Sequence, residues 1–343
     1  MSIVLRAGLV GLGMMGRNHA RVLQSLDGVE LVGATDPAGD VHKVVGGVPQ
    51  LPDVEALLAC ALDICVVAVP TAFHLEAGLA LAEAGVHALV EKPLAANIPS
   101  AMELVHVFED HGLVGCVGHI ERYNPALLAL RARLDRGELG EVYQVTTRRQ
   151  GPFPNRISDV GVVKDLATHD LDLTSWVTRR NYRVVAAQTV HKSGRPHEDL
   201  VAVVAKLDDG IVANHLVNWL SPMKERVTVV TGEKGCFVAD TLTADLSFFE
   251  NGVVATEWDA VARFRGVSEG NMTRFAIPKP EPLRTELEAF RDAVLGLPAD
   301  VVTMRQGLAT VVVAEACLEA ARTGGSVTVG LGVGAHTFRA VPA

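Results

Sequence analysis

The chain has 343 residues, 49% of them hydrophobic and 21% charged, which is long for one hydrophobic core and makes two globular domains the expectation. A formal net charge of −9 excludes a general attraction to nucleic acid or an anionic membrane, so an anionic ligand would need a local cluster of cations. No apolar run reaches the roughly 18 residues of a membrane helix, and no basic leader precedes "IVLRAGLVGLG", so a soluble, cytoplasmic protein is expected.

In chain order, the first ~120 residues alternate short apolar runs with helical patterns. "RAGLVGLG" reads as a strand, "MMGRNHARVLQSL" as a helix and "VELVGATD" as a strand. "VEALLA" is a helix, "DICVVAVP" a strand, "HLEAGLALAEAG" a helix and "HALVEKP" a strand; "IPSAMELVHVFEDHG" and "LVGCVGH" continue the series. Continuous buried strands separated by helices predict a parallel α/β sheet. Beyond residue 120 the pattern changes. "GEVYQVTTRRQ", "YRVVAAQTVHKSG", "DLVAVVAKLDDGIVANHLVNWL" and "ERVTVVTGEKGCFVAD" predict a large, mostly antiparallel sheet, with turns at Asp208–Asp209–Gly210 and at "GEKG". Helices at "LRTELEAFRDAVLG" and "GLATVVVAEACLEAART" close the chain. The expected organisation is an N-terminal Rossmann-type dinucleotide domain (1–120), an α+β domain (121–325) and a tail (326–343). Cys60, Cys65, Cys116, Cys236 and Cys317 form no Cys-x-x-Cys pair, which fits a reducing compartment.

Gly11, Gly13 and Gly16 form a Gly-x-Gly-x-x-Gly turn after the first strand, and the second strand ends in Asp36. The first glycine serves the tight turn, the second lets backbone approach a pyrophosphate, and the third lets the helix pack on the sheet. A carboxylate at Asp36 accepts from a ribose 2′-hydroxyl and repels a 2′-phosphate, so NAD is expected over NADP, with Lys43 the nearest following cation. A strand-end cap is the plainer role for Asp36.

"DVGVVKDLATHDLD" (159–172) places Asp165, His169, Asp172 and Trp176 at i, i+4, i+7 and i+11, on one helical face beside Leu166, Leu173 and Val177. Carboxylates next to an imidazole admit three readings: a salt-bridged helix, a metal site or an acid–base device. No further Cys or His cluster accompanies them, so no metal is expected. "GHIERYNPAL" gathers His119, Glu121, Arg122 and Asn124 at the domain junction, either as substrate contacts or as a salt-bridge network. Arg148, Arg149 and Arg156 precede the helix and point to an anionic substrate.

Four stretches in order, "GLGMMGRNHARVL", "AVPTAFHLEAGLAL", "VEKPLA" and "DLATHDLDL", resemble the glucose–fructose oxidoreductase/inositol dehydrogenase (Gfo/Idh/MocA) family along essentially the whole chain. The resemblance implies an NAD-dependent oxidoreductase that moves a hydride between the nicotinamide and a secondary hydroxyl of a sugar. It implies Lys92 as a catalytic residue, followed by a Pro93 that is often cis, with Asp165 and His169 as the acid–base partners. It places Met14, Met15, Pro70, Thr71, His74, Glu91 and Lys92 with the cofactor, beside the glycines and Asp36. "GHIERYNP" joined to "GPFPNRISDVGVVKDL" is similar to family members that act at C3 of nucleotide sugars of the UDP-N-acetylglucosamine type. On that reading His119, Glu121, Arg122, Asn124 and Arg156 lie on the substrate side. A free-sugar or inositol dehydrogenase, a glycosidase using NAD transiently and an NAD-sensing regulator are the alternatives. The family also implies a homodimer or homotetramer formed through the open face of the second sheet.

Overall fold

The structure, a computed structural model, describes residues 3–41, 43–154, 160–252, 268–330 and 340–341. The chain divides into two compact units: Met1–Ile120 with Pro280–Glu315, and Glu121–Lys279 with Ala316–Ala343.

The first unit is built on a parallel sheet of β1 (Leu5–Val10), β2 (Val29–Thr35), β3 (Gln50–Leu51), β4 (Ile64–Val67), β5 (His87–Glu91) and β6 (Gly115–Gly118). Their order, β3-β2-β1-β4-β5-β6, is that of a doubly wound dinucleotide fold. Every side chain of β4 is buried, as a parallel strand covered on both faces requires. Helices α1 (Met14–Leu23), α2 (Val54–Leu58), α3 (His74–Glu83) and α4 (Ile98–Asp110) connect the strands. The α2 and α4 starts are capped by Asp53, which accepts from the Ala56 N–H (2.8 Å), and Asn97, which accepts from the Ser100 N–H (2.9 Å).

The segment 280–315, assigned above to the second domain, packs on this unit instead. The reason lies in α7 (Pro282–Val294): Leu283, Leu287 and Phe290, at i, i+4 and i+7, enter one core with Leu9, Leu23, Ile64 and Leu89. The helical period was visible, but not which sheet it would cover.

The second unit carries a sheet in the order β14-β13-β12-β11-β7-β10-β9-β8-β15-β16. Its strands are β7 (Val142–Pro152), β8 (Tyr182–Val190), β9 (Leu200–Leu207), β10 (Val212–Asn218), β11 (Leu220–Gly232), β12 (Gly235–Asp240), β13 (Asp245–Gly252), β14 (Ser268–Arg274), β15 (Ser326–Thr328) and β16 (Ala340–Val341). Neighbours are antiparallel except β7 and β10, which are parallel. The segment read as a tail therefore supplies strand: β15 pairs with β8. Helices α5 (Pro125–Asp135) and α6 (Thr168–Thr178) cover one face, where Leu127, Leu130, Leu173 and Trp176 meet Val145, Val230, Phe237 and Leu246. The helix expected around Asp165 is not α-helical throughout. Val163–Ala167 form a π turn that runs into α6.

Candidate active site

In the first unit, the carboxyl ends of β1, β4 and β5 carry the polar features. Gly11 has φ +97°, and a Cβ there would stand 2.5 Å from the Ala68 carbonyl oxygen, so the turn admits only glycine. A Cβ on Gly16 would stand 2.0 Å from the Gly11 oxygen, which fixes close packing of α1 on the turn. Gly13 differs: its Cβ would meet nothing within 4 Å, in front of the α1 N-terminus. That is an open cradle where backbone N–H groups can receive an anion. Asp36 accepts from the N–H groups of Leu12 (2.7 Å) and Ala38 (2.8 Å), one on each oxygen. It is thus the expected strand-end cap, and each oxygen keeps a lone pair for a ribose hydroxyl.

At the end of β5, Glu91 is fastened on both oxygens. Oε1 lies 2.8 Å from His19 Nε2, and Oε2 accepts the Lys92 N–H at 3.1 Å. An ionised carboxylate only accepts, so the imidazole donates. Burial alone would push the Glu91 carboxyl up; the His19 hydrogen bond and the charges of His19 and Lys92 outweigh it and hold it below the usual carboxylate range. The Lys92–Pro93 peptide is cis. His74 binds this turn to the end of β4: Nδ1 is 2.9 Å from the Pro93 carbonyl oxygen and Nε2 is 3.0 Å from that of Val69. Burial pushes its pKa down against the pull of the two carbonyl oxygens and Glu91; as a neutral ring it has one N–H and donates to only one of the two carbonyls.

In the second unit, the π turn and α6 carry Asp165 and His169, both buried at 5% and 9% exposure. A π turn is uncommon and usually marks a functional position. Glu198 shapes its start, accepting the Val163 N–H at 2.9 Å. Gly161 makes room for that carboxylate, since a Cβ there would lie 2.1 Å from Glu198 Oε1.

The other acids of α6 are anchored. Asp172 takes both ends of the Arg122 fork, from Nε at 2.7 Å and Nη2 at 2.6 Å. Asp170 takes Arg149 Nε at 3.0 Å, and Arg149 Nη1 reaches Glu121 at 2.8 Å. Burial opposes the charge on Arg149, but Asp170 and Glu121 overcome it and hold the guanidinium protonated. Burial likewise pushes Glu121 up, and Arg149 with Arg226 pulls it below the usual range.

Comparison with known proteins supplies the decisive observation. Residues 5–119 match the NAD-binding Rossmann-fold domain of the Gfo/Idh/MocA oxidoreductase family, and residues 127–238 match that family's C-terminal domain. The chain belongs to the Gfo/Idh/MocA family. The UDP-N-acetylglucosamine 3-dehydrogenase of Acidithiobacillus ferrooxidans is 31% identical over 218 residues, 62% of this chain and 66% of that one. The inositol 2-dehydrogenase 2 of Saccharopolyspora erythraea is 25% identical over 340 residues, 95% of this chain and 96% of that one. The solved structure of UDP-N-acetylglucosamine 3-dehydrogenase GnnA from A. ferrooxidans superposes with a TM-score of 0.82 at 26% identity, covering 94% of this chain and 98% of that one. The chain is thus an oxidoreductase of a family of sugar and polyol dehydrogenases, with a Rossmann domain of the NAD-binding kind.

For this Gfo/Idh/MocA chain the structure distributes the expected site residues unevenly. Gly11, Gly13, Gly16 and Asp36 form one turn; Met14 is exposed and Met15 partly so at the start of α1. Pro70 is exposed and Thr71 nearly buried after β4. His74, expected to line the cofactor, is instead a buried fastener of the Lys92–Pro93 turn. The described residues of the expected substrate set, His119, Glu121, Arg122 and Asn124, are buried. His119 is buried in the first unit. Arg122 is engaged by Asp172 and Glu121 by Arg149. Asn124 caps α5, accepting from Ala126 N–H at 3.0 Å, and donates to the Thr241 carbonyl at 3.0 Å. The salt-bridge alternative for this stretch fits these contacts better than direct substrate contact. Arg156 falls outside the described residues.

Arg148 and Arg149 do not act together. Successive strand residues point to opposite faces, so Arg149 goes under the helices while Arg148 pairs with Glu225 (2.6 Å) on the open face. Among the described residues no group of three His, Cys, Asp or Glu side chains could hold a metal ion. Sequence reading missed His19, Glu198 and Arg226. His19 had one signal, a histidine on the buried face of the helix that follows the glycine turn.

Proposed function

We propose that this chain is an NAD-dependent dehydrogenase of a secondary hydroxyl on a sugar, C3 of a UDP-N-acetylglucosamine-type nucleotide sugar being the first candidate. The observation that carries the reading is the Glu91–Lys92–Pro93 turn, locked by His19 and His74, in a chain whose second unit holds Asp165 and His169 at a π turn. The similarity to UDP-N-acetylglucosamine 3-dehydrogenase over most of the chain supports the substrate class.

A bound NAD would supply the hydride acceptor for the carbinol carbon. The glycine turn and the α1 N-terminus would hold its pyrophosphate, and Asp36 its adenosine ribose. The remaining chemistry is proton handling and charge stabilisation. His169 would take the hydroxyl proton, and Asp165 would orient the ring. Lys92 would stabilise the developing alkoxide by its positive charge. A carboxylate at Asp36 disfavours a 2′-phosphate, hence NAD over NADP. We also propose that the chain assembles as a homodimer or homotetramer through the open face of the second sheet.

A panel of UDP-N-acetylglucosamine, its uronate, dTDP-sugars, free sugars and inositols, scored by NADH absorbance, tests the activity. NADH accumulating with one UDP-sugar supports the reading, and accumulation only with inositols moves it to the polyol branch. Sugar consumption without NADH release would point to the glycosidase cycle.

A further inference from the structure

Arg226 on β11 stands in register with Arg149 on β7, so the two guanidinium groups share the helix-covered face of the sheet. Like charges directly opposite on neighbouring strands repel. Their environments differ sharply. The Arg149 side chain is 3% exposed and spends its fork on Asp170 and Glu121. The Arg226 side chain is 34% exposed, and among the described residues its one hydrogen bond runs from Nη1 to Glu121 Oε1 at 3.4 Å.

That contact is longer than a normal N–H···O bond, and it goes to an oxygen that Arg149 already holds at 2.8 Å. A guanidinium carries five N–H donors in a planar fork, so four remain for another acceptor. Burial and the neighbouring Arg149 both work against its charge, while Glu121, Asp170 and Asp165 favour it. Arg226 thus stands in the same unit as Asp165, the acid of the candidate catalytic pair, and is joined through Glu121 and Arg149 to Asp170 of the helix that carries His169. An anion approaching Asp165 in a protein of net charge −9 would be repelled without such a cation.

We propose that Arg226 is a substrate-specificity residue that receives an oxyanion, a carboxylate or phosphate carried by the substrate, on the helix-covered face it shares with Arg149 and Glu121. This rests on the reading of Asp165 and His169 as the catalytic pair, and it extends that reading to the substrate's charge. Arg is the side chain whose fork matches two oxyanion oxygens at once.

The test is calorimetric titration of the enzyme loaded with NADH, so binding is read without turnover. The probes are UDP-N-acetylglucosaminuronate, UDP-N-acetylglucosamine and myo-inositol. Arg226→Met should weaken the uronate, alone or with UDP-N-acetylglucosamine, by about 10- to 100-fold, the range of hydrogen bonds to charged groups, and leave NADH and myo-inositol affinities unchanged. Arg226→Lys, which keeps the charge without the fork, should fall in between and guards against a folding defect in the first variant. Weakening of both UDP compounds assigns the phosphate; weakening of the uronate alone assigns the carboxylate. Unchanged anion affinity, equal weakening of all three probes, or a wild-type enzyme that binds neither anion overturns the assignment. Absence of NADH formation with every sugar, by contrast, would overturn the dehydrogenase reading and leave the binding result standing.

Discussion

Glu91 Oε1 and His19 Nε2 lie 2.8 Å apart, joining the carboxyl end of β5 to the helix that follows the glycine turn. One bond thus connects the cradle at Gly13 to the residue beside Lys92. Both partners are buried, at 0% and 9% side-chain exposure, so neither can turn to water if the other is removed.

The Glu91 contribution to the pH dependence of stability should change sign when this bond is cut. In the wild type Glu91 is held below its ordinary pKa, so its contribution is present above about pH 4.3, where the unfolded chain ionises, and is lost as pH falls further. In His19→Ala, burial is left as the largest influence and lifts the carboxyl above its unfolded value. The Glu91 contribution should then be greatest in acid and decline as pH rises from about 4.3. A melting series from pH 4 to 8 checks this. The variant should lose about 1–3 kcal/mol at pH 7, and an identical pH profile in both proteins would refute the coupling.

Gly13→Val separates folding from cofactor binding. The valine side chain would enter open space, and the Gly13 backbone (φ −69°, ψ −159°) suits an ordinary residue, so the melting temperature without ligand should stay near wild type. The rise in melting temperature on adding NAD should vanish, although NAD at 100 times its Kd would stabilise the wild type by about 2.7 kcal/mol. Gly16→Ala, in contrast, should destabilise the apoprotein, because its Cβ would collide with the Gly11 oxygen.

The two sheets and the glycine turn were legible because period and punctuation are local properties. Three things were not. The covering role of α7 depends on which sheet Leu283, Leu287 and Phe290 reach, and the helical period is the same for either. The π turn at Asp165 follows from Glu198, 33 residues later in the chain and therefore invisible to a helical wheel. Arg122 and Asn124 looked like ligand contacts because polar side chains at a junction carry no mark of their partner. Their partners, Asp172 and the Thr241 carbonyl, lie 50 and 117 residues away. Arg148 and Arg149 show the reverse case, since the strand period alone already sends them to opposite faces.

Lys92→Ala should abolish turnover while NAD still raises the melting temperature, because the glycine turn and Asp36 are untouched. His169→Ala should lower kcat by roughly 10²- to 10⁴-fold, the usual contribution of a positioned acid or base. Retained turnover in Lys92→Ala would remove that residue from the chemistry.

Arg122→Ala should act on stability more than on substrate affinity. Removing one member of a buried ion pair strands Asp172 without its fork, at a cost of about 3–5 kcal/mol. The guanidinium also lies 5.9 Å from the centre of the Trp176 ring, so packing is lost with the charge. Arg148→Ala, on the open face with 54% side-chain exposure, should cost under about 1 kcal/mol. Urea melts of the two variants check the contrast. A KM change for Arg122→Lys with no stability change would instead return Arg122 to the substrate.

Assembly through the open sheet face makes the last prediction. Along β9 and β10 up to Val217 the side chains alternate, burying Val201, Val203, Ala205, Ala213 and His215 and leaving Val204, Val212 and Leu216 outside at 54%, 40% and 38% exposure. The register brings Leu216 opposite Ala202 and Arg148, and Arg148 opposite Val227, so the outer residues form a stripe across four strands. A row of exposed apolar side chains crossed by the Arg148–Glu225 pair suits a second copy of the same sheet, since a two-fold contact sets each residue against its own kind of surface. Leu216→Asp and Val204→Asp would put carboxylates into that contact without touching the covered face. Light scattering after gel filtration should show the wild type as a dimer or tetramer and the double variant as a smaller species with unchanged NAD binding. A wild type that runs as a monomer would leave the stripe without this role.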